Sequence, residues 1–579
     1  MDPRSVAHAL AQIADFLELK GENRFKSAAY RNASRAVLGV QTDDLAPALA
    51  SGELAELKGV GPATLSTIRE LVESGESRYL EQLRTETPEG LLEMLRVPGL
   101  GTAKIQKIHE GLGLSSLAEL EAAAADGRLA KLPRFGAGTA AKILKGIAYL
   151  RENSAYMLYP SALAESEPML AAVRAHPDVE SAMLAGSLRR RNEIVRDIDV
   201  VAVVSSRDGA PERVAAELSR APGVREAEER GPGGATIHFV DGSVLDLQCV
   251  RREDQAVALW RATGSAAHER ELREWAASRG ASIVGDELRS SDGQRIPVGD
   301  ERALFGALGL AYIEPEMREG RGEIAAAAKN ALPTLIQSSD ITGVLHCHSD
   351  SSDGKATIAE MAQAAHDLGW SYIGISDHSQ SAFYAGGLKP DAVIAQHAQI
   401  DSLNSRDLGI LILKGVEADI LADGQIDYDS ALLDRFDYVI ASVHSRFAMD
   451  RETMTARVLR ALDDPHVTIL GHPTGRLLLR REAYAIDMEA VIAKAATNGV
   501  TLEINADPHR LDLDWRHCQL AKSLGCSFEI GPDAHSTRGL QNMEFGVGIA
   551  RKGWLEATDV INTFSAKRIV ERLRKRRAR

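Results

Sequence analysis

The feature that most constrains this chain is an alternation that runs from about residue 340 to residue 579. Short apolar runs alternate with helical segments there, and most runs stop at side chains able to bind a metal ion. VLHCHSDSSDG carries His346, His348 and Asp353, YIGISDHS carries Asp377 and His378, and LILKGVEADI carries Glu417. YVIASVHS ends in His444, VTILGHP in His472, and FEIGPDAHS in Asp533 and His535. A seventh run, TLEIN at 501–505, has no obvious ligand. Such alternation predicts a βα-barrel, whose strands present their C-terminal ends on one face, so these separated residues would meet there. A lone strand-end histidine is ordinarily a capped core residue, but five histidine-bearing strand ends in one domain predict a metal cluster. Imidazoles mixed with carboxylates suit Zn²⁺, Mn²⁺ or Fe²⁺ rather than Mg²⁺ alone.

A second constellation lies in Ala185–Val204, AGSLRRRNEIVRDIDVVAVV. In a strand, Asp197 and Asp199 share a face while Ile198 packs behind. Neighbouring carboxylates repel unless a cation lies between them, and oxygen ligands suit Mg²⁺ or Mn²⁺. Gly186, Ser187 and the arginines at 189–191 offer donors suited to a phosphate chain. The alternative is a surface salt-bridge network at a strand start. In ATIHFVDGSVLDLQCV (235–250), Asp246 points opposite to Leu245 and Leu247. On a neighbouring strand it would supply the third carboxylate of a two-metal site and assist loss of a proton from an attacking 3′-hydroxyl.

The first third is helical, with Val6, Leu10, Ile13, Phe16 and Leu17 on one stripe. Three similar segments follow: Leu57-Lys-Gly-Val-Gly-Pro-Ala-Thr, Val97-Pro-Gly-Leu-Gly-Thr-Ala-Lys and Leu132-Pro-Arg-Phe-Gly-Ala-Gly-Thr. Each sets a Gly-x-Gly between helices, where backbone N–H groups at a helix start can face an anion. This is the helix-hairpin-helix pattern, which holds DNA phosphates without reading sequence. Gly59/Gly61 and Gly99/Gly101 are the expected DNA-binding pairs; Gly136/Gly138 is less regular and reads as structural.

At 579 residues the chain is long enough for several domains. It has no run of eighteen apolar residues, so no transmembrane helix is expected and no membrane partner. The N-terminus lacks the pattern of a secretory signal. Four cysteines without CxxC spacing predict neither disulfides nor a zinc knuckle, in keeping with a cytoplasmic protein. A net charge of −14 argues mildly against nucleic acid. Dense carboxylate sites and backbone-mediated phosphate contacts soften that objection. The basic end KRIVERLRKRRAR reads as a solvated terminal helix.

Gly186-Ser187, Asp197-x-Asp199, Asp246 and Thr263-Gly264-Ser265, with the hairpins, resemble family X DNA polymerases, the group of DNA polymerase beta, over about residues 1–315. The resemblance implies that Asp197 and Asp199 bind two metals and Asp246 the catalytic one. Ser187 and Arg190 would contact the nucleotide's β/γ phosphates, and Arg273 would lie by the template strand. Two departures are plain. The family commonly has Tyr-Phe before Thr-Gly-Ser, and this chain has Arg261-Ala262, with Glu269 at the base-facing Asn position, which puts sugar discrimination and fidelity in question. The first hairpin helix, Pro62 to Arg69, lacks the lysine that some relatives use in 5′-deoxyribose phosphate removal.

Residues 340–579 resemble the PHP (polymerase and histidinol phosphatase) domain. That resemblance implies a nine-ligand site for up to three ions at His346, His348, Asp353, His378, Glu417, His444, His472, Asp533 and His535, with Asp377 orienting a ligand. Every position holds a competent ligand; relatives vary between His and Asp at the place of Asp353. The implied chemistry is metal-assisted phosphoester hydrolysis.

The expected architecture is multidomain. An N-terminal helical domain (1–90) and a second helical domain (91–154), each with a helix-hairpin-helix, come first. An α+β nucleotidyltransferase palm and thumb (155–315), a linker (316–339) permitting domain motion and a distorted (β/α)7 PHP barrel (340–579) follow. The expected function is gap-filling DNA repair by a monomer acting on gapped or primer-template DNA with deoxynucleoside triphosphates. Mg²⁺ or Mn²⁺ would serve the polymerase site, and the barrel would be a Mn²⁺-preferring 3′–5′ exonuclease, abasic-site endonuclease or 3′-phosphatase. Two rivals are a nuclease whose polymerase half only holds DNA, and a histidinol-phosphatase-like enzyme of small phosphomonoesters. Because the first hairpin helix lacks a lysine, borohydride should trap no covalent adduct of the protein with a 5′-deoxyribose phosphate end; a trapped adduct would contradict the absence of lyase activity.

Overall fold

The computed structural model describes residues 1–577 apart from Gln41, Asp43, Glu89 and Asp407. By its contacts the chain forms two units, one of residues 1–188, 194–264 and 276–307, the other of 189–193, 265–275 and 308–579.

The first unit begins with helices. The stripe of helix Pro3–Leu19 is buried as its 3.6-residue period requires, with Val6, Leu10, Ile13 and Leu17 fully inaccessible. Helix Pro62–Ser74 starts at Gly61 and helix Thr102–Leu112 at Gly101. Gly59 and Gly99, two residues earlier, are left-handed at φ 108° and 78°, a conformation that glycine adopts without strain. The third segment differs: Arg134 holds the left-handed conformation (φ 73°), while Gly136 caps helix Ala137–Asn153 at φ −37°.

A five-stranded sheet follows, built of β1 (Val179–Leu184), β2 (Ile198–Val204), β3 (Val224–Glu229), β4 (Gly234–Phe239) and β5 (Val244–Arg251) in the order β1-β2-β5-β4-β3. Only β2 and β5 run parallel, and they are the strands that carry Asp199 and Asp246. The interior residues of β2, Val200 to Val204, are buried on both faces and explain its continuous apolar run.

The second unit holds seven parallel strands in sequential order: β6 (Gly343–Val344), β7 (Tyr372–Ile375), β8 (Leu411–Asp419), β9 (Tyr438–Ser442), β10 (Val467–Leu470), β11 (Thr501–Asn505) and β12 (Phe528–Gly531). A parallel bridge between Cys347 and Ala534, past the ends of β6 and β12, brings the first and last strands together. Two large rings fill the interior. Tyr372 stands opposite Gly343 and Tyr438 opposite Gly415, and a Cβ at Gly374 would lie 2.0 Å from the Tyr438 hydroxyl. The glycines therefore make the space that the rings occupy.

Two expectations are corrected here. The passage expected as a linker is folded: Glu323–Ala328 is helical, Arg318 and Glu323 are fully buried, and Glu316 pairs with Arg551 at 2.7 Å. The basic C-terminal helix (Ala566–Arg577) is not merely solvated, because Ile569 and Leu573, one turn apart, are buried with Tyr372 and Tyr438. Gly374→Ala should destabilise the barrel by about 1–3 kcal/mol through overpacking, read as a lower urea midpoint. Adding Tyr438→Phe, which removes the clashing hydroxyl, should recover part of that loss.

Candidate functional site

The barrel's strand ends converge as the alternation predicts. His346 and His348 follow β6 with their rings inward, while Cys347 between them is buried in the outer apolar layer. Glu417, in β8, is buried at the centre of the cluster. One of its oxygens lies 2.8 Å from His472 Nε2 and 3.0 Å from His444 Nε2; the other lies 2.9 Å from His378 Nδ1, 3.6 Å from His346 Nε2 and 3.8 Å from His348 Nε2. Asp533 Oδ1 lies 3.2 Å from His348 Nε2, 3.6 Å from His346 Nε2 and 3.7 Å from His535 Nδ1. Asp353, at the rim, faces His535 at 3.3 Å and His378 at 3.7 Å. Among the described residues, three groups have ligand atoms close enough to share an ion: His348, Asp353, His378 and His535; His346, His348 and Asp533; His378, Glu417 and His444. His472 joins them through Glu417.

Behind these residues stand carboxylates that the sequence reading did not single out. Glu503, the middle residue of TLEIN, accepts a short hydrogen bond from Nδ1 of His346 and another from the His472 backbone N–H. Asp419 accepts from His444 Nδ1 at 2.5 Å. A carboxylate that takes the Nδ1 proton turns the Nε2 lone pair toward the cluster. Asp377, expected to orient a ligand, instead ties the loop between His348 and Asp353, accepting from Ser349 N at 2.8 Å, from the Ser349 and Ser352 hydroxyls at 2.5 Å, and from Gln396 at 2.6 Å. Arg510 also went unremarked in the sequence; its Nε lies 3.5 Å from Asp533 Oδ2.

The electrostatics follow from burial and mixed charge. Burial opposes ionisation of Glu417 and Asp533, but surrounding imidazoles hold both well below the ordinary carboxylate range. Burial likewise disfavours charge on His444, yet Glu417 and Asp419 raise it to about 10, and Asp353 and Asp533 raise His535 to about 9. Burial dominates at His348 and His472, held at about 4 and about 3. His346 Nε2, both ring nitrogens of His348 and His472 Nδ1 are buried without a hydrogen bond. Orphaned imidazole lone pairs beside ionised carboxylates are the donor set that a divalent cation satisfies, so these residues fit the metal.

In the palm, Asp199 and Asp246 are register partners on the adjacent strands β2 and β5. Like charges in that position are unfavourable without a cation. Thr236 donates to Asp246 at 2.5 Å, and Asp197 meets Arg196 at 3.2 Å. Among the described residues the three carboxylates do not form a group as tight as those in the barrel. Gly186 is left-handed (φ 58°), and a Cβ there would stand 1.6 Å from an Asp199 oxygen, so only glycine allows that approach. Ser187 Oγ is buried without a hydrogen bond. Arg190 belongs to the other unit, where its Nε meets Glu319 at 3.0 Å. Arg273 pairs with Glu269, one turn before it, at 2.6 Å. At the departure from the family pattern, Arg261 pairs with Asp286 at 2.7 Å and Ala262 packs against a small apolar cluster. At Gly61, Gly99 and Gly101 an added Cβ would meet nothing within 4 Å, leaving those backbones approachable.

Family models match along the chain: a helix-hairpin-helix domain at 1–77, a SAM-like helix-hairpin-helix tandem at 91–148, a DNA polymerase beta thumb at 258–319 and a PHP domain at 345–507. The DNA polymerase/3′-5′ exonuclease PolX of Bacillus subtilis (strain 168) is 35% identical over 570 residues, 98% of each chain. This chain belongs to the PolX family of DNA polymerases. Two further relatives match part of the chain. A probable phosphatase of Thermoanaerobacter sp. (strain X514) is 29% identical over 235 residues, 38% of this chain and 89% of its own. One of Caldanaerobacter subterraneus is 32% identical over 196 residues, 31% and 70%. Polymerase and PHP domains both imply divalent metal ions. No helix among the described residues is long and apolar enough to cross a membrane.

Imidazole must be neutral to bind a metal, whereas His444 and His535 are held protonated at neutral pH by their carboxylate partners. Loading the metal-free protein with Mn²⁺ at pH 7 in weak buffer should therefore release protons, and affinity should rise with pH toward about 10. A pH electrode and calorimetry in buffers of different ionisation enthalpy check both.

Proposed function

We propose that this chain is a DNA-repair polymerase of family X that fills short gaps by template-directed nucleotidyl transfer. Its PHP barrel acts as a metal-dependent 3′–5′ exonuclease. The observation that carries this reading is the likeness, end to end, to a relative named for both activities. The domain reading made from the sequence belongs to it: helical domains at 1–90 and 91–154 hold gapped or primer-template DNA, the palm and thumb act on deoxynucleoside triphosphates, and the barrel degrades ends, in a cytoplasmic monomer.

Asp197, Asp199 and Asp246 would hold Mg²⁺ or Mn²⁺, with Ser187 and Arg190 on the triphosphate. Asp246 favours loss of the 3′-hydroxyl proton, and Thr236 keeps its carboxylate aimed. The nine barrel ligands would hold up to three Mn²⁺, Zn²⁺ or Fe²⁺ ions, which supply Lewis acidity to the scissile phosphate. Glu503 and Asp419 hold the His346 and His444 rings with Nε2 inward, and Arg510 brings a guanidinium beside Asp533 where a phosphate oxygen needs a donor. One observation favours the rival in which the polymerase half chiefly holds DNA: Arg261, bound to Asp286, stands where the family commonly places a ring against the incoming sugar. The phosphatase rival rests on likeness to the barrel alone.

On gapped DNA with Mg²⁺ or Mn²⁺ the wild type should extend the primer. Asp199→Ala should lose extension by more than about a hundredfold, a larger cost than loss of a residue that only supports a ligand, and should keep exonuclease activity. Glu417→Gln should do the reverse, and EDTA should abolish both. Extension that survives Asp199→Ala would refute the assigned site; turnover of small phosphomonoesters without DNA degradation would favour the phosphatase.

A further inference from the structure

Two large aromatic side chains stand in the open beside the barrel cluster. Phe383 and Tyr384 are 85% and 70% exposed, on the one-turn 3₁₀ segment Phe383–Ala385 that follows the His378 strand end. The Tyr384 ring centroid lies 6.3 Å from that of His378 and 6.5 Å from that of His444. The turn is fixed without help from these rings. Ala382 N–H bonds the Ser379 carbonyl at 3.0 Å, Gly387 N–H the Ala382 carbonyl at 3.1 Å, and Leu388 N–H the His378 carbonyl at 2.8 Å. Asp427 accepts from Ser381 N–H at 2.8 Å. Gly387 passes so close to Ser379 that a Cβ would lie 1.9 Å from its carbonyl oxygen, and Gly386 borders Ser352, the neighbour of Asp353.

An exposed aromatic pair on a hydrogen-bonded turn forgoes its own burial, and Tyr384 of this pair lies beside two of the rings in the metal-ligand cluster, with Phe383 next to it in the chain. Arg510, a phosphate-binding type, lies on the Asp533 side of the same cluster. A strand end with its terminal phosphodiester at the cluster would bring its last base toward the turn. Bases stack on aromatic rings with little regard to sequence, which suits an enzyme that must remove any nucleotide.

We propose that Phe383 and Tyr384 form a stacking platform for the 3′-terminal nucleobase of a single-stranded DNA end whose phosphodiester lies at the metal-ligand cluster. The platform rests on the exonuclease reading and adds a selection to it: the barrel prefers a substrate that carries a base, and a small phosphoester without one gains nothing from the turn. Phe383, the more exposed ring, does most of the stacking, and Tyr384 continues the apolar surface toward His378.

The test uses the full chain loaded with Mn²⁺ and two oligonucleotides that differ only at the 3′ end, one with a normal nucleotide and one with a base-free tetrahydrofuran residue. Wild type should cleave the base-bearing end with kcat/KM about tenfold higher. Phe383→Ala should remove that preference by raising KM on the base-bearing end, leave the base-free end unchanged, and retain wild-type metal content. Phe383→Trp should preserve the preference, and Phe383→Leu should lose most of it. An equal loss on both ends, a fall in metal content, or no change in either substrate would overturn the platform. If the wild type degrades neither oligonucleotide, the exonuclease reading itself fails and the platform with it.

Discussion

The second unit depends on a carboxylate, Glu417, buried among imidazoles. A charge removed from water costs several kcal/mol unless it is matched nearby. Five histidines from four strand ends face Glu417, so the cluster is matched only when those strands are in register with β8 and the first and last strands meet at Cys347 and Ala534. The barrel interior is accordingly divided. Tyr372 and Tyr438 fill one end with apolar bulk over the terminal helix, while histidines and carboxylates fill the other. Glu503 and Asp419 fix ring orientation from behind, and the lone pairs that remain fit a divalent cation.

The palm handles like charge differently. Asp199 and Asp246 are placed side by side on two parallel strands, and Gly186 brings backbone hard against Asp199. The barrel mixes acids and bases in a buried site, which favours softer or borderline metals. The palm juxtaposes acids at a more open site, a donor set that suits hard cations. One chain thus carries two candidate ligand sets of different chemistry.

Much of the candidate site was legible because strands impose a period of two and barrels gather strand ends. His346 and His348 show it directly: alternate residues share a face, and the intervening Cys347 goes to the outer layer. Glu503 was not legible, since within TLEIN it reads as an ordinary strand residue, and only the fold brings β11 against His346. The passage at 316–339 reads as a linker because it is rich in alanine and charge; its partners Arg551 and Lys552 lie more than two hundred residues away. Asp377 stands out for its place beside His378, but its oxygens are spent on the Ser349–Ser352 loop and on Gln396.

By itself the sequence determined which residue types end each strand, which glycines open the hairpin helices, and that two separate sets of candidate metal ligands share one chain, because these follow from local periodicity and side-chain chemistry. Only the tertiary structure decided that Glu417 is the hub, that Glu503 and Asp419 aim the rings, that Arg261 is bound to Asp286, and that Phe383 is left exposed beside the cluster. Those outcomes depend on contacts between distant segments, and on which side chains remain uncovered once every apolar face has found a partner.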